Sequence, residues 1–231
     1  GRLLRSLPEP LLDKSLTRYH ILVNGAQVYD SFEDKTLLRE ELTPQQAMCM
    51  LHFLKAHNVL RGVYIDGLGH MSREDFSEIE AVAATPATAA LMRRSYQTDE
   101  DLDAVTAQHN SVQKIIAFFR NPDDKQATIR EITARFPGYA VSSSLGNNIE
   151  INAKNATKGS ALRFLCEKIG VPIGQCMAFG DGTNDYSMLR AAGFGVAMGN
   201  ASEEVQSCAD AVTETNEEDG VARMIERVLE L

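Results

Sequence analysis

The sequence predicts an α/β protein with a parallel sheet and an inserted α+β unit. From Thr157 onward, helical patterns alternate with short apolar runs over short connections, as in repeated βα units. Between about residues 59 and 150 strands and helices follow one another without that alternation. The length of 231 residues suits one large or two modest domains. We therefore expect a discontinuous core of residues 1–42 and 150–231 around a second domain of residues 43–149.

The composition excludes several classes of protein. Hydrophobic residues make up 44% and charged residues 24%, which is typical of a folded globular chain. The net charge of -9 disfavours nucleic-acid binding, because phosphate backbones are repelled. No apolar run approaches the roughly 18 residues of a membrane span. The four cysteines form no C-x-x-C pair, and we expect a reducing, cytoplasmic location.

The amino-terminal stretch predicts one more unit of the α/β kind. Residues 19–23 form a buried-strand pattern that runs into Asn24 and Gly25, and residues 26–29 continue as a second short strand. Further on, a capping box with proline at the first helical position predicts a helix toward His57; its residues are Thr43, Pro44 and Gln46.

The middle of the chain predicts a different mixture. Three apolar runs read as strands, at residues 62–65, 113–119 and 139–142. Two helical runs, at residues 73–84 and 123–135, separate them.

The carboxyl-terminal third has the clearest pattern. A helix over residues 157–169 has apolar side chains at i, i+3, i+4 and i+7 and ends at Gly170. A buried strand at residues 176–179 follows and ends at Gly180. The remaining elements alternate between helix and strand: helix 186–192, strand 194–198, a helix from Ser202, strand 211–213 and helix 221–229.

The densest polar group is the run GDGTND at residues 180–185, directly after a buried strand. Ligands of open α/β sheets bind at the carboxyl ends of strands. In this chain, two carboxylates and an amide follow such a strand end. Hard oxygen ligands on a short loop suit Mg²⁺. The alternative is a tight βα turn, but such a turn needs only one of these residues. Lys158, at the start of a helix, is placed to assist an anion at that helix end.

These motifs resemble the Cof-type branch of the haloacid dehalogenase superfamily, mostly sugar-phosphate and related phosphatases. The resemblance rests on Lys158-Gly159, FGDGTND, AAGFGVAMGNASEEV, CADAVT and EEDGVA, and on YHILVNGAQVYD near the amino terminus. It implies a Rossmann-like core with a parallel sheet and an inserted C2-type cap, and Mg²⁺-dependent hydrolysis through an aspartyl-phosphate.

The resemblance also implies roles for individual residues. Asp181 would be a direct Mg²⁺ ligand, and Asp185 would support the metal from the ligand sphere or just outside it. Lys158 would hold the nucleophile and the phosphoryl oxygens. Asn184 would orient phosphate or metal-bound groups, while Gly180 and Gly182 let the backbone approach closely.

Three further residues are candidates for binding phosphate or substrate. Asn24 and Gly25 belong to the stretch that resembles the family's N-G-A strand. Asn200, at the end of the next strand, either points to the same site or serves as a left-handed residue after that strand.

The family's D-x-D-G-T motif, which supplies the nucleophile and the acid, does not occur in the 231 residues. We expect it upstream of a chain that opens at Gly1. Asp34-Lys35-Thr36 resembles the D-K-T-G-T motif of ion-pumping ATPases, but Leu37 replaces the glycine of that motif. This decoy therefore predicts a turn or hairpin, and Asp66-Gly67 predicts a cap loop. The alternatives are a truncated or degenerate homologue acting as a binding or partner subunit, and a phosphomutase of the same fold. We expect a small phosphorylated substrate, with a missing amino-terminal segment or a homo-oligomer as possible partners.

Overall fold

The computed structural model describes residues 1–230, and the chain divides into two compact units, Gly1–Ala156 and Thr157–Leu231. These units group residues 1–42 with residues 43–149. The discontinuous core of residues 1–42 and 150–231 stays a prediction. Across residues 1–230, no helix has both the length and the apolar character needed to cross a membrane.

The first unit begins with a three-stranded antiparallel sheet of β1 (Tyr19–Leu22), β2 (Gln27–Asp30) and β3 (Lys35–Arg39). Both predicted strands are present, but the prediction of another parallel βα unit is wrong. The reason is the turn Val23–Gly25, whose positive φ angles reverse the chain so that β1 pairs antiparallel with β2. Asp34 lies in the next hairpin turn at φ 51°, as the turn interpretation of that decoy predicted.

The rest of the first unit is an α+β arrangement around a six-stranded mixed sheet. Its order is β6-β5-β4-β7-β9-β8, with only the β5–β6 pair parallel. The elements are α1 (Pro44–Leu54), β4 (Val59–Ile65), β5 (Leu68–Ser72), α2 (Arg73–Ser77), α3 (Pro86–Ser95), β6 (Tyr96–Asp99), α4 (Leu102–Gln108), β7 (Lys114–Phe119), α5 (Asp124–Arg135), β8 (Tyr139–Ser142) and β9 (Asn148–Ala153).

Most of the expected elements of this unit are present. The three predicted strands and the second predicted helix are confirmed with small shifts of their ends. The first predicted helix is shorter than residues 73–84, because Glu78 leaves helical dihedral angles at φ -106° and ψ 15°. Asp66 and Gly67 form the two-residue turn between β4 and β5, both at positive φ as a type I′ hairpin requires.

The start of α1 and the main core of this unit follow from local chemistry. The Thr43 hydroxyl accepts a hydrogen bond from the Gln46 N–H at 3.2 Å, and the Gln46 side chain accepts one from the Thr43 N–H at 2.8 Å. This capping box begins α1 where the sequence predicted it. Apolar side chains of α1, β4, β7, α5 and β9 then form the largest buried cluster.

The second unit has the predicted alternation of helices and parallel strands. Its elements are α6 (Lys158–Ile169), β10 (Met177–Gly180), α7 (Tyr186–Leu189), β11 (Phe194–Ala197), α8 (Glu203–Gln206), β12 (Ala211–Val212) and α9 (Gly220–Leu229). The strands pair in parallel in the order β10-β11-β12, with Gly180 opposite Ala197. Gly170 ends α6 in the left-handed conformation at φ 71°, as predicted. The sheet therefore brings the ends of β10 and β11 to one edge.

Candidate active site

The loop after β10 is shaped by a carboxylate from its own far end. Asp185 is 4% exposed, and its Oδ2 accepts the backbone N–H groups of Asp181 and Gly182, both at 3.1 Å. These bonds close residues 181–185 into a compact turn before α7 begins.

Gly180 is needed for this turn. A Cβ at residue 180 would stand 2.4 Å from the Asp185 Cβ, a separation that real Cβ atoms do not show. The absence of a side chain at the end of β10 therefore leaves the space that Asp185 fills.

Lys158 meets the same carboxylate from the other side. Its Nζ lies 2.5 Å from the Asp185 Oδ1, and the two side chains are 23% and 5% exposed. Asp185 thus accepts the Lys158 ammonium on one oxygen and the Asp181 backbone on the other. The structure therefore brings together the two motifs that the sequence singled out.

The first turn of α6 is pinned to the start of α7. The Gly159 N–H donates to the Ser187 Oγ at 3.0 Å. A Cβ at residue 159 would lie 2.1 Å from the Ser187 carbonyl oxygen, so only glycine allows this approach. The Thr157 hydroxyl caps α6 by accepting the Ser160 N–H at 3.1 Å. The backbone contact next to Lys158 therefore fixes where its side chain starts.

The other predicted residues of this edge have distinct surroundings. Asp181 is exposed at the end of β10. Asn184 is half-buried, and its side-chain oxygen lies 2.7 Å from the point that a Cβ at residue 182 would occupy. The Asn200 Oδ1 accepts the backbone N–H of Asn216 at 3.0 Å and so braces the loop after β11. Asn200 is not among the positive-φ residues of the described chain, so its interpretation as a left-handed residue is wrong.

The donor set fits a Mg²⁺ ion held partly by this chain. Asp181 offers an exposed carboxylate, whereas Asp185 already accepts three hydrogen bonds of the roughly four that a carboxylate can take. Within residues 1–230 no group of three or more His, Cys, Asp or Glu side chains is arranged to hold a metal. Mg²⁺ commonly takes one or two protein carboxylates and fills its shell with water and phosphate oxygens. An arrangement in which Asp181 is the ligand and Asp185 supports the loop would match this coordination preference.

Asn24 and Gly25 lie in the first unit, in a turn of unusual backbone. Val23, Asn24 and Gly25 have φ angles of 49°, 61° and 100°, a conformation that a β-branched valine strongly disfavours. The Asn24 side chain is buried, and its Nδ2 donates to the Glu150 Oε2 at 2.6 Å and the Asn152 Oδ1 at 3.2 Å. The asparagine side chain therefore holds the turn from inside, and its part in binding phosphate stays a prediction.

Sequence reasoning missed the ion pair beneath this turn. Lys114 Nζ and Glu150 Oε1 are 3.0 Å apart, and their side chains are 2% and 4% exposed. Burial alone would raise the pKa of Glu150. The attraction of Lys114 and of the amino-terminal ammonium, together with the hydrogen bonds from Asn24 and Lys114, outweighs burial and lowers that pKa to about 2. The only sequence signal is a charged residue inside each of two apolar strands, KIIAFF and NIEINA, which does not identify its partner.

Comparisons with known proteins identify similar sequences and structures. A family model described as haloacid dehalogenase-like hydrolase matches residues 1–225. The phosphatase YwpJ of Bacillus subtilis (strain 168) is 51% identical over 87 residues, which cover 38% of this chain and 30% of that protein. This match therefore spans less than a third of the relative's length.

Two further matches run along the whole chain. The 5-amino-6-(5-phospho-D-ribitylamino)uracil phosphatase YitU of Bacillus subtilis (strain 168) is 29% identical over 235 residues, covering 100% of this chain and 83% of that protein. A solved haloacid dehalogenase-like hydrolase from B. subtilis has a TM-score of 0.82 at 27% identity, covering 98% of this chain and 85% of that one. The fold is thus the expected Rossmann-like core with a C2-type cap.

Proposed function

The chain belongs to the haloacid dehalogenase-like hydrolases, and from that membership we propose that it acts in the Mg²⁺-dependent hydrolysis of a phosphomonoester. The substrate class that we propose is a small phosphorylated metabolite, such as a sugar phosphate. The phosphatases among its relatives support the reaction type.

One observation carries the proposal. The Lys158 ammonium and the exposed Asp181 are linked through the buried carboxylate of Asp185, at the carboxyl end of a parallel strand. A cation beside the loop and a hard oxygen donor on it are what a phosphoryl group and its metal need.

The proposed reaction proceeds in two displacements. An aspartate oxygen attacks phosphorus, the P–O bond to the substrate's alcohol breaks, and a second aspartate protonates the leaving oxygen. Water then cleaves the aspartyl-phosphate and releases phosphate. The 231 residues contain no D-x-D-G-T motif, so we propose that a segment outside the printed sequence supplies both aspartates. When bound, Mg²⁺ would neutralise charge on the phosphoryl oxygens.

We assign a task to each predicted site residue at this edge of the sheet. Asp181 holds the metal, and Asp185 fixes the Lys158 ammonium and the backbone of the loop. Lys158 holds the nucleophile and the phosphoryl oxygens, while Asn184 orients phosphate. Asn200 braces the neighbouring loop at the same edge of the sheet.

The inserted domain has the second task. Residues 43–149 would act as the cap that excludes water and selects the substrate, together with the Asn24-Gly25 turn. A cytoplasmic location suits such metabolites.

The test compares two proteins, the 231-residue chain and the same chain extended by an amino-terminal segment with D-x-D-G-T. Phosphate release is measured with and without Mg²⁺ on sugar phosphates, nucleotides, cofactor phosphates and the substrate named for YitU. We expect turnover only for the extended protein with Mg²⁺.

Two variants are compared. Asp181→Asn in the extended protein should abolish the Mg²⁺-dependent activity, and Glu167→Gln, an exposed carboxylate of the second unit, should leave it unchanged. Turnover by the verified 231-residue chain would contradict the proposed external nucleophile. Substrate binding without turnover by the extended protein would favour a binding subunit, and activity that needs a second phosphate acceptor would favour a phosphomutase.

A further inference from the structure

Two of the four cysteines bring their sulfur atoms together in the second unit. Cys166 lies in α6 and Cys176 directly precedes β10, and their Sγ atoms are 3.2 Å apart. Both are free thiols. Because the sulfurs of a disulfide are about 2.05 Å apart, a shift of about 1 Å would join them.

The surrounding backbone fixes this proximity. The Cys166 carbonyl accepts the Val171 N–H at 3.0 Å where α6 ends, and the Cys176 carbonyl accepts the Phe194 N–H at 3.1 Å where β10 and β11 begin to pair. These bonds hold the backbone of each cysteine in place, one at the end of a helix and the other at the start of a paired strand.

The two thiols differ in access. Cys166 is buried, whereas Cys176 is partly exposed. Burial, followed by the contact with Cys176, raises the pKa of Cys166 to about 11, so that sulfur carries its proton at neutral pH. A small reagent in solution thus reaches Cys176 first.

We propose that Cys166 and Cys176 are a reversible dithiol–disulfide modification site whose co-reactant is a low-molecular-weight disulfide. The Cys176 thiolate attacks the small disulfide, forms a mixed disulfide and releases one thiol. The Cys166 sulfur, after losing its proton to solvent, attacks the Cys176 sulfur, breaks the mixed bond and releases the second thiol. Two protein thiols are oxidised and one small disulfide is reduced to two thiols.

This bond would join two elements of the candidate active site. Helix α6 carries Lys158 in its first turn, and β10 leads into the loop with Asp181 and Asp185. Oxidation would therefore tie the helix covalently to the strand that delivers the loop. The proposal does not depend on the proposed phosphatase activity.

The experiment uses the 231-residue chain and oxidised glutathione as the probe. After incubation of the folded protein, free thiols are counted in denaturant and the bond is located by peptide mass mapping. We expect the count to fall from the four of the sequence to two, with the bond between Cys166 and Cys176, and a reductant should restore all four. The oxidised chain should melt at a higher Tm than the reduced chain, because the cross-link restricts the unfolded chain.

Matched variants make the result specific. Cys176→Ser and Cys166→Ala should each lose the ability to form an internal bond, and Cys208→Ser, whose thiol lies 3.3 Å from Arg190, should form the bond as the parent does. Four free thiols in the treated parent, a bond that includes Cys49 or Cys208, or a Tm lowered by the bond would overturn the proposal.

Discussion

Lys114 and Glu150 pair diagonally across β7 and β9, because Glu150 lies opposite Ile116 in the antiparallel register. Both side chains are buried, and the Glu150 carboxylate also accepts hydrogen bonds from Asn24 and Ser144. An ion pair of the sheet thus holds the turn between β1 and β2.

This pair predicts how the first unit responds to acid. The folded-state pKa of Glu150 is about 2, below its ordinary value of 4.5, so its stabilising effect is fully present above pH 4.5 and is lost as pH falls toward 2. The free energy of unfolding should fall by up to about 3 kcal/mol across that window from this group alone. Urea unfolding at several pH values checks this. In Glu150→Gln the drop should be smaller by that amount, and an equal drop in both proteins would refute the assignment.

Lys158 should stabilise the second unit through Asp185. Replacing Lys158 by Met leaves a carboxylate that is 5% exposed without its cation, and we expect a loss of about 2 kcal/mol in the free energy of unfolding. Arg163→Met, an exposed position on the same helix, should change it by less than about 0.5 kcal/mol. Urea titrations of the three proteins decide the matter, and equal stabilities of the two variants would mean that the pair contributes nothing.

Glycines at the site should tolerate no methyl group. Gly180→Ala and Gly159→Ala place a Cβ 2.4 Å from the Asp185 Cβ and 2.1 Å from the Ser187 carbonyl oxygen. Each should lower the free energy of unfolding by about 1–3 kcal/mol, as overpacked sites do. The matched control is Gly174→Ala, whose Cβ meets nothing within 4 Å and should be neutral or stabilising. Thermal melts of all three provide the comparison, and loss of the same size in the control would remove the steric explanation.

Asn24 should act through both its backbone and its side chain. Asn24→Gly keeps easy access to φ 61° but loses the hydrogen bonds to Glu150 and Asn152. Asn24→Ala loses the bonds and also takes on the left-handed penalty, so it should be less stable than the glycine variant by about 1 kcal/mol. Chemical denaturation resolves such a difference. If the alanine variant were the more stable of the two, the turn would not need a left-handed residue.

The second unit could be predicted well from sequence because its signals are local. Glycine and the helix period mark α6, and the short apolar run before Gly180 marks β10. The Lys158–Asp185 contact was also predictable in outline, since both residues belong to motifs at one edge of the sheet. What the pattern does not contain is that Asp185 faces inward and Asp181 outward, because that depends on backbone hydrogen bonds within the turn.

The first unit shows why the rest was less predictable. The strand at Tyr19–Leu22 was predicted, but its antiparallel pairing with β2 was not. That pairing depends on three consecutive positive φ angles, and the Asn24-Gly25 dipeptide is the only sequence feature that favours them. Strands β5 and β6 were missed, because their sequences, LGHMS and YQTD, carry few apolar residues. Pairing with neighbouring strands stabilises them instead. Lys114 and Glu150 were missed because the partner of a buried charge lies 36 residues away in the chain.

The contact of Gly159 with Ser187 has a consequence for ligand binding. The Gly159 N–H, next to Lys158, donates to the Ser187 Oγ in α7, which directly follows the loop bearing Asp181, and the Lys158 ammonium pairs with Asp185 of that loop. The helix bearing Lys158 and this loop are therefore held together. A phosphate bound here, as the proposed function requires, would meet groups that are already oriented, so little of its binding energy would be spent on reorganisation. The preorganisation that the proposed function calls for would thus depend on a glycine, because a Cβ at residue 159 would lie 2.1 Å from the Ser187 carbonyl oxygen.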